Sequence, residues 1–89
     1  MAPGSDQLFA KAHDVVAACI GCAKEDIQPS TDLIVKYRLD SLDVLDLGLE
    51  IEQRFAVELS EADSSRLRTL EDIVHAVQAA MQRTRALTP

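Results

Sequence analysis

The sequence predicts an all-α fold: a small four-helix bundle with three main helices, one short helix and a long loop between helices one and two. At 89 residues the chain has enough surface to bury for one hydrophobic core but not for two. Its apolar residues recur at helical steps of three and four. With two Phe, one Tyr and no Trp, the core has to be aliphatic. We expect one domain over residues 1–89, with its core at about 5–83 and short flexible termini.

The composition argues against several classes of protein. Nine Lys and Arg against fifteen Asp and Glu give a net charge of −6, and such a surface repels nucleic-acid phosphates and anionic lipids. No apolar run approaches the roughly 20 residues of a membrane span, and the first residues lack the pattern of a signal peptide. We expect a cytoplasmic monomer whose partners are proteins with basic patches.

The first helix is predicted from Ser5, with Gly21 just past its end. Its apolar positions at helical spacing are Leu8, Ala12, Val15, Val16 and Cys19. Residues 22–38 then lose this periodicity and are predicted to form a long loop, pinned to the core by scattered apolar residues. A loop longer than about 12 to 15 residues is uncommon in a small domain and is more often functional than accidental.

The second helix has the clearest start, because Asp40 is a good N-cap and Asp43 stands three residues later, as in a capping box. Ser41 then falls at the first helical position. The helix carries more apolar residues than one buried face requires, which predicts that it is half core and half exposed contact surface. The expected core stripe is Val44, Leu47, Ile51 and Phe55; a second apolar stripe is Leu42, Leu45 and Leu49; an acidic row is Asp43, Asp46 and Glu50.

Capping residues also predict where the remaining helices start. Ser60 followed by Asp63 predicts a short third helix, and Thr69 followed by Asp72 predicts the start of the fourth. The expected core face of the fourth helix is Ile73, Val77, Ala80 and Met81. Arg83 and Arg85 fall in its last turn, where cations suit the helix dipole.

No constellation typical of an enzyme or a metal site is evident. The two histidines, His13 and His75, lie in the middle of separate helices and are better read as structural or surface residues than as a catalytic base. Cys19 and Cys22 form a lone C-x-x-C without a second pair of ligands. A thiol redox or zinc site therefore remains a weak alternative to ordinary packing, and no metal is expected.

Ser41 stands out as a serine at the first turn of an acidic helix, reached by a long loop and with no base to activate it. Such a serine is a poor nucleophile and a good attachment point. A phosphodiester there would face the free N–H groups of the helix end, which favour an anion, although Asp40 and Asp43 oppose it. The residues alone therefore permit a modification without requiring one.

These residues resemble the acyl carrier protein family. The family hallmark is D-S-L at the start of its second helix, here Asp40, Ser41 and Leu42, followed by acidic residues among apolar ones as far as Phe55. The resemblance continues without gaps through "AVELSEADSSRLRTLEDIVHAV" and, upstream, through "VVAACIGCAKEDIQPSTDL". It covers roughly residues 8–81 and implies the family's bundle fold.

The resemblance also implies a carrier function rather than catalysis. Ser41 would receive 4′-phosphopantetheine from coenzyme A, with Asp40 and Leu42 beside it, and acyl groups would travel as thioesters on the arm. Implied partners are a phosphopantetheinyl transferase, a loading ligase or acyltransferase, and ketosynthase-type enzymes. The surface expected to meet their basic grooves consists of Leu42, Asp43, Leu45, Asp46, Leu49, Glu50 and Glu52. The alternative is an unmodified acidic module that recruits basic partners through the same helix.

Two departures from the family pattern bear on the pathway. Members of the family usually have Gly where this chain has Arg38, and fatty-acid carriers commonly keep Glu where this chain has Gln53 and Arg54. Arg54 is also spaced to pair with Glu50 four residues earlier. The departures favour a carrier dedicated to a specialised acyl or polyketide pathway over one of housekeeping fatty-acid synthesis.

Overall fold

The computed structural model describes residues 3–87, with side-chain environments over residues 7–83. Within that part of the chain there are helices and connections but no strand, so the predicted all-α class is confirmed. The helices are α1 (Pro3–Ile20), α2 (Leu33–Tyr37), α3 (Ser41–Phe55), α4 (Glu61–Ser64) and α5 (Leu70–Leu87), with a 3₁₀ turn at Lys24–Asp26. The predicted flexible termini and the side chain of Arg85 lie largely outside the described residues.

The core is formed by aliphatic side chains of the three long helices. Its deeply buried members on α1, α3 and α5 include Ala12, Val16, Leu47, Ile51, Ile73 and Val77. The predicted core stripes are confirmed at these positions, but Cys19 is exposed and Met81 lies at the surface. Helical spacing assigns residues to a face without showing where the neighbouring helix stops covering that face.

The long connection between α1 and α3 contains the short helix α2, where the sequence predicted only loop. The Asp32 carboxylate caps it by accepting a hydrogen bond from the Val35 N–H at 3.1 Å, and Leu33 is fully buried. A helix of five residues is too short to show a hydrophobic period, so its cap was its main sequence signal.

Three contacts tie this connection to the start of α5. The Leu33 N–H donates to the Arg68 carbonyl at 2.7 Å, and the Glu71 N–H donates to the Pro29 carbonyl at 3.2 Å. The Arg68 guanidinium also pairs with the Asp32 carboxylate at 2.9 Å. The segment that leads to Ser41 is therefore held to the bundle through both backbone and side chains.

Three helices end in the same way, with a residue in the left-handed conformation. Gly21 (φ 84°), Arg38 (φ 53°) and Ala56 (φ 55°) follow α1, α2 and α3. In each case the N–H of the next residue reaches the carbonyl five positions back, as in a Schellman motif. Only the first of the three is glycine, so the other two accept the steric cost of a Cβ in this conformation.

The other predicted caps are confirmed. Ser60 and Asp63 exchange side-chain to backbone hydrogen bonds around α4, and Thr69 and Asp72 do the same at the start of α5. Arg83 of α5 reaches back to the Asp63 carboxylate at 3.2 Å. These contacts fix the short α4 against α5.

Candidate cofactor attachment site

The start of α3 is defined by a reciprocal capping box. The Asp40 carboxylate accepts a hydrogen bond from the Asp43 N–H at 2.9 Å, and the Asp43 carboxylate accepts one from the Asp40 N–H at 3.1 Å. Ser41 is the first residue of the helix. The prediction that Asp40 rather than Ser41 caps α3 is confirmed.

The Ser41 hydroxyl is consequently not needed to cap the helix. The residue is exposed, and among the described residues its hydroxyl has no hydrogen-bond partner. The neighbouring carboxylates are each engaged with a backbone N–H, which leaves the hydroxyl accessible for esterification. The exposed side chain and the helix N-terminus fit a phosphodiester-linked group at this position.

An open cleft begins beside Ser41 and runs between α2, α3 and α4. Its volume is about 510 Å³ and its surface is mostly apolar. On α3 it is lined by Val44, Leu45 and Leu49, with Gly48 between them. A cleft of this size and polarity can accommodate the apolar part of a small ligand.

Part of this cleft could not be predicted from the sequence. Ile34 of α2, Leu39 before α3 and Leu59 before α4 all line it, but none belongs to the predicted site. Their apolar character was visible in the sequence. Their convergence depends on how α2 and α4 pack against α3, which no local pattern records.

The second apolar stripe of α3 is exposed. Leu42, Leu45 and Leu49 keep 68%, 54% and 48% of their surface in water. Val35 of α2 is exposed to the same extent as Leu42, at 68%. Side chains of this kind, rimmed by charged residues, are typical of a protein-binding surface.

The predicted acidic residues of α3 divide into two groups. Asp43 and Asp46 are exposed in the first turns of α3, after Ser41. Glu50 pairs with Arg54 at 2.8 Å, as its spacing predicted. Glu52 is half-buried and its carboxylate accepts a hydrogen bond from the Leu59 N–H at 2.8 Å. Among the described residues of this set, Asp43 and Asp46 are therefore the fully exposed carboxylates without a basic partner, since Arg54 neutralises Glu50 and Glu52 is half-buried.

Two basic residues, Lys36 and Arg38, precede Ser41. The Lys36 ammonium donates to the Asp26 carbonyl and lies 5.5 Å from the centre of the Tyr37 ring. Arg38 is exposed, and its guanidinium has no partner within residues 7–83. Arg38 thus places a free positive charge three residues from Ser41.

The cysteines and histidines do not form a site. Neither cysteine forms a disulfide within the described residues. The pKa of Cys19 is raised, mainly by partial burial and to a lesser extent by the nearby carboxylates of Glu50, Asp46 and Asp43. A raised pKa keeps the thiol protonated and makes it a poor nucleophile and metal ligand. Within the described residues no three His, Cys, Asp or Glu side chains come together as a metal site.

His13 and His75 have the structural or surface settings expected of them. A ring nitrogen of His13 contacts the Lys24 carbonyl at 2.8 Å, and His75 is exposed.

In the part of the chain that the structure describes, no helix has both the length and the apolar character to span a membrane.

Comparisons with known proteins agree with this geometry. Residues 10–77 match the model of a family described as a phosphopantetheine attachment site. The chain is similar to the acyl carrier proteins of Chlamydia muridarum, at 34% identity over 64 residues (72% of this chain and 83% of the relative), and of Coprothermobacter proteolyticus, at 28% over 74 residues (83% and 90%). That of Syntrophobacter fumaroxidans is 36% identical over 63 residues (71% and 78%).

These matches favour a carrier over an unmodified interaction module. The cofactor of the family is covalently bound 4′-phosphopantetheine, and its role is to carry acyl groups rather than to catalyse a reaction. The chain belongs to the acyl carrier protein family.

Proposed function

We propose that Ser41 is the residue that carries the 4′-phosphopantetheine arm. The observation that supports this most directly is the exposed Ser41 hydroxyl, which has no hydrogen-bond partner among the described residues because Asp40 supplies the helix cap. The arm provides a terminal thiol on which acyl groups are held as thioesters. Asp40 fixes the start of α3, and Leu42 stands exposed on the other side of the serine.

The partner surface in this proposal is the exposed side of α3. The apolar side chains Leu42, Leu45 and Leu49 supply contact area, and Asp43 and Asp46 supply charge that attracts basic grooves. Glu50 and Glu52 belong to the same surface but contribute less charge, since Arg54 neutralises Glu50 and Glu52 is half-buried. The proposed partners are a phosphopantetheinyl transferase, a loading ligase or acyltransferase and ketosynthase-type enzymes.

The charge pattern supports a specialised acyl or polyketide pathway rather than housekeeping fatty-acid synthesis. Arg54 neutralises Glu50 at 2.8 Å, and Arg38 adds a free positive charge before the attachment serine. A partner that reads this surface meets fewer free carboxylates and one extra cation, which changes the groove that fits best. In this proposal the chain acts as a cytoplasmic, monomeric single carrier domain.

The cleft beside Ser41 supports a further part of the proposal, that the apolar portion of the cargo folds back into it. The cleft opens at the attachment residue and is lined by Ile34, Val44 and Leu59. Withdrawing the cargo from water is favourable by about 0.8 kcal/mol per methylene group. It would also shield the nearby thioester from hydrolysis.

Intact mass measurement tests the attachment. The protein is incubated with coenzyme A and a broad-specificity phosphopantetheinyl transferase, and it is expected to gain the mass of one phosphopantetheine group. Ser41→Ala should gain nothing. Ser30→Ala removes another exposed serine hydroxyl and is the matched control that should still be modified. Modification that persists in Ser41→Ala would refute the assignment.

The pathway is tested by the cargo itself. Protein isolated from its own cells and measured intact reveals the mass of the acyl group it carries. An acyl mass that belongs to an unbranched saturated fatty acid would contradict the specialised pathway while leaving the carrier function in place.

A further inference from the structure

A second cleft lies on the other side of α3, between α1, α2 and α3. Its volume is about 450 Å³, comparable to that of the cleft beside Ser41. Its walls are partly apolar, and carboxylates of α3 stand along one side. The residues that line it are Cys19, Ile20, Tyr37, Leu39, Asp43, Asp46 and Leu47.

The two clefts share α2 and α3 but lie on opposite faces of α3. On α3, Val44 and Gly48 line the first cleft, and Asp43 and Leu47 line the second. The short α2 divides in the same way, since Ile34 lines the first and Tyr37 the second. Of the described residues around the two clefts, Leu39 alone lines both.

We infer that Leu39 is the partition between the two clefts, and that it confines the apolar tail of the cargo to the first one. The inference rests on the proposed function, because it concerns the cargo attached through Ser41. It makes Leu39 a specificity-determining residue, which sets how long a tail the carrier can shelter.

The backbone at Leu39 is held on both sides. Leu39 follows Arg38, whose left-handed conformation ends α2, and the Leu39 N–H donates to the Ile34 carbonyl at 3.0 Å. One residue later the Asp40 capping box starts α3. The Leu39 side chain is half-buried and packs against the core. Because its backbone is held on both sides and its side chain packs against the core, Leu39 acts as a wall rather than as a mobile gate.

Truncating this side chain is expected to join the two clefts. The apolar walls of the second cleft, Ile20 and Leu47, then become available to a tail that enters from the first. Each additional methylene group withdrawn from water favours the sheltered state by about fourfold. In the joined cavity the sheltered state should therefore become more stable with each added carbon. In the wild type this stabilisation should stop once the first cleft is full.

The test compares Leu39→Ala with Leu39→Met, which conserves the volume of the side chain. Each protein is loaded on Ser41 with amide-linked acyl pantetheine analogues of increasing chain length, and loading is checked by mass. The melting temperature of the wild type should rise with tail length and then level off. Leu39→Ala should level off several carbons later, whereas Leu39→Met should follow the wild type. Leu39→Val removes fewer side-chain atoms and is used if Leu39→Ala does not fold. Its melting temperature should level off later than that of the wild type, but by fewer carbons than in Leu39→Ala.

Alkylation of Cys19 shows where the additional carbons lie. Cys19 lines the second cleft and is exposed, so a tail that enters this cleft should slow its reaction with iodoacetamide at least severalfold. The effect should appear with long tails in Leu39→Ala but not in the wild type or in Leu39→Met. Cys22 is absent from the lining of the cleft, and its reaction rate, followed by peptide mass, is the internal control.

The possible outcomes separate this inference from the proposed function. An unchanged levelling point in Leu39→Ala, or a later one without protection of Cys19, refutes the partition. Protection of Cys19 by long tails in the wild type refutes it as well. A melting temperature that does not depend on tail length in any variant refutes burial of the cargo, and failure of Ser41 to gain mass refutes the attachment itself.

Discussion

Helix α3 has two apolar faces that differ in their exposure to solvent. Leu47 and Ile51 are buried to 1% and 0% exposure, whereas Leu42 and Leu45 keep 68% and 54% of their surface in water. The residues are of similar size and hydrophobicity and belong to one helix. The buried face packs in the core, whereas the exposed face is left open to solvent, which is consistent with the proposed contact with partners and cargo.

The largest expected effect comes from cutting into the buried face. Ile51→Ala should lower the free energy of unfolding by about 3 kcal/mol, since it leaves a cavity in a closely packed core. Urea denaturation followed by circular dichroism measures this. The matched cut on the exposed face, Leu45→Ala, should change stability by no more than about 0.5 kcal/mol. Equal losses in the two variants would break the distinction between the faces.

A second prediction divides the exposed face by charge. Asp46→Asn should lower kcat/KM of a phosphopantetheinyl transferase for this carrier about fivefold, because a free carboxylate that steers basic partners is lost. Glu50→Gln should have less than about a twofold effect, because Arg54 already neutralises that carboxylate. Steady-state kinetics at low ionic strength measure both variants, and added salt should reduce the difference. A larger loss for Glu50→Gln would contradict this division.

A third prediction concerns the residue that leads into α3. Arg38→Gly should raise the free energy of unfolding by about 1 kcal/mol, because glycine adopts the left-handed conformation without the steric cost of a Cβ. Arg38→Ala keeps that cost and removes the guanidinium, so it should not stabilise. Thermal denaturation of the two variants distinguishes backbone strain from charge. An equal gain in both would assign the effect to charge.

The smallest expected effect is pH-dependent and concerns the anchor of the connection before α3. The hydrogen bond from Arg68, together with the Val35 N–H, lowers the pKa of Asp32. A lowered pKa in the folded state adds stability above the unfolded value of about 3.9, and this increment is lost as the pH falls through the folded value.

The check is to compare the wild type with Arg68→Gln over a range of pH. The melting temperature of the variant should be lower by a degree or two near neutral pH, and the two curves should converge as the pH falls through the lowered pKa of Asp32. Arg66→Gln changes a neighbouring exposed arginine and is the control. A difference that persists unchanged in acid would show that the pair is not its cause.

The helix starts were predictable because their signals are local. Asp40 with Asp43, and Ser60 with Asp63, identify caps within four residues of sequence. The excess of leucine on α3 likewise predicted its exposed face. What the sequence could not show depends on tertiary packing. The one-turn α2 has no period to detect, and Leu39 lines the clefts only because α2 ends in a left-handed turn beside α3.

The anchoring of α2 to the start of α5 has a consequence for encounters with partners. Backbone hydrogen bonds at Leu33 and Glu71, together with the pair between Asp32 and Arg68, hold the start of α2 against the start of α5. A partner enzyme therefore meets Ser41 and the exposed leucines in an arrangement that already exists. Little conformational entropy has to be given up by the protein on docking, so a small contact area can bind specifically and still release quickly.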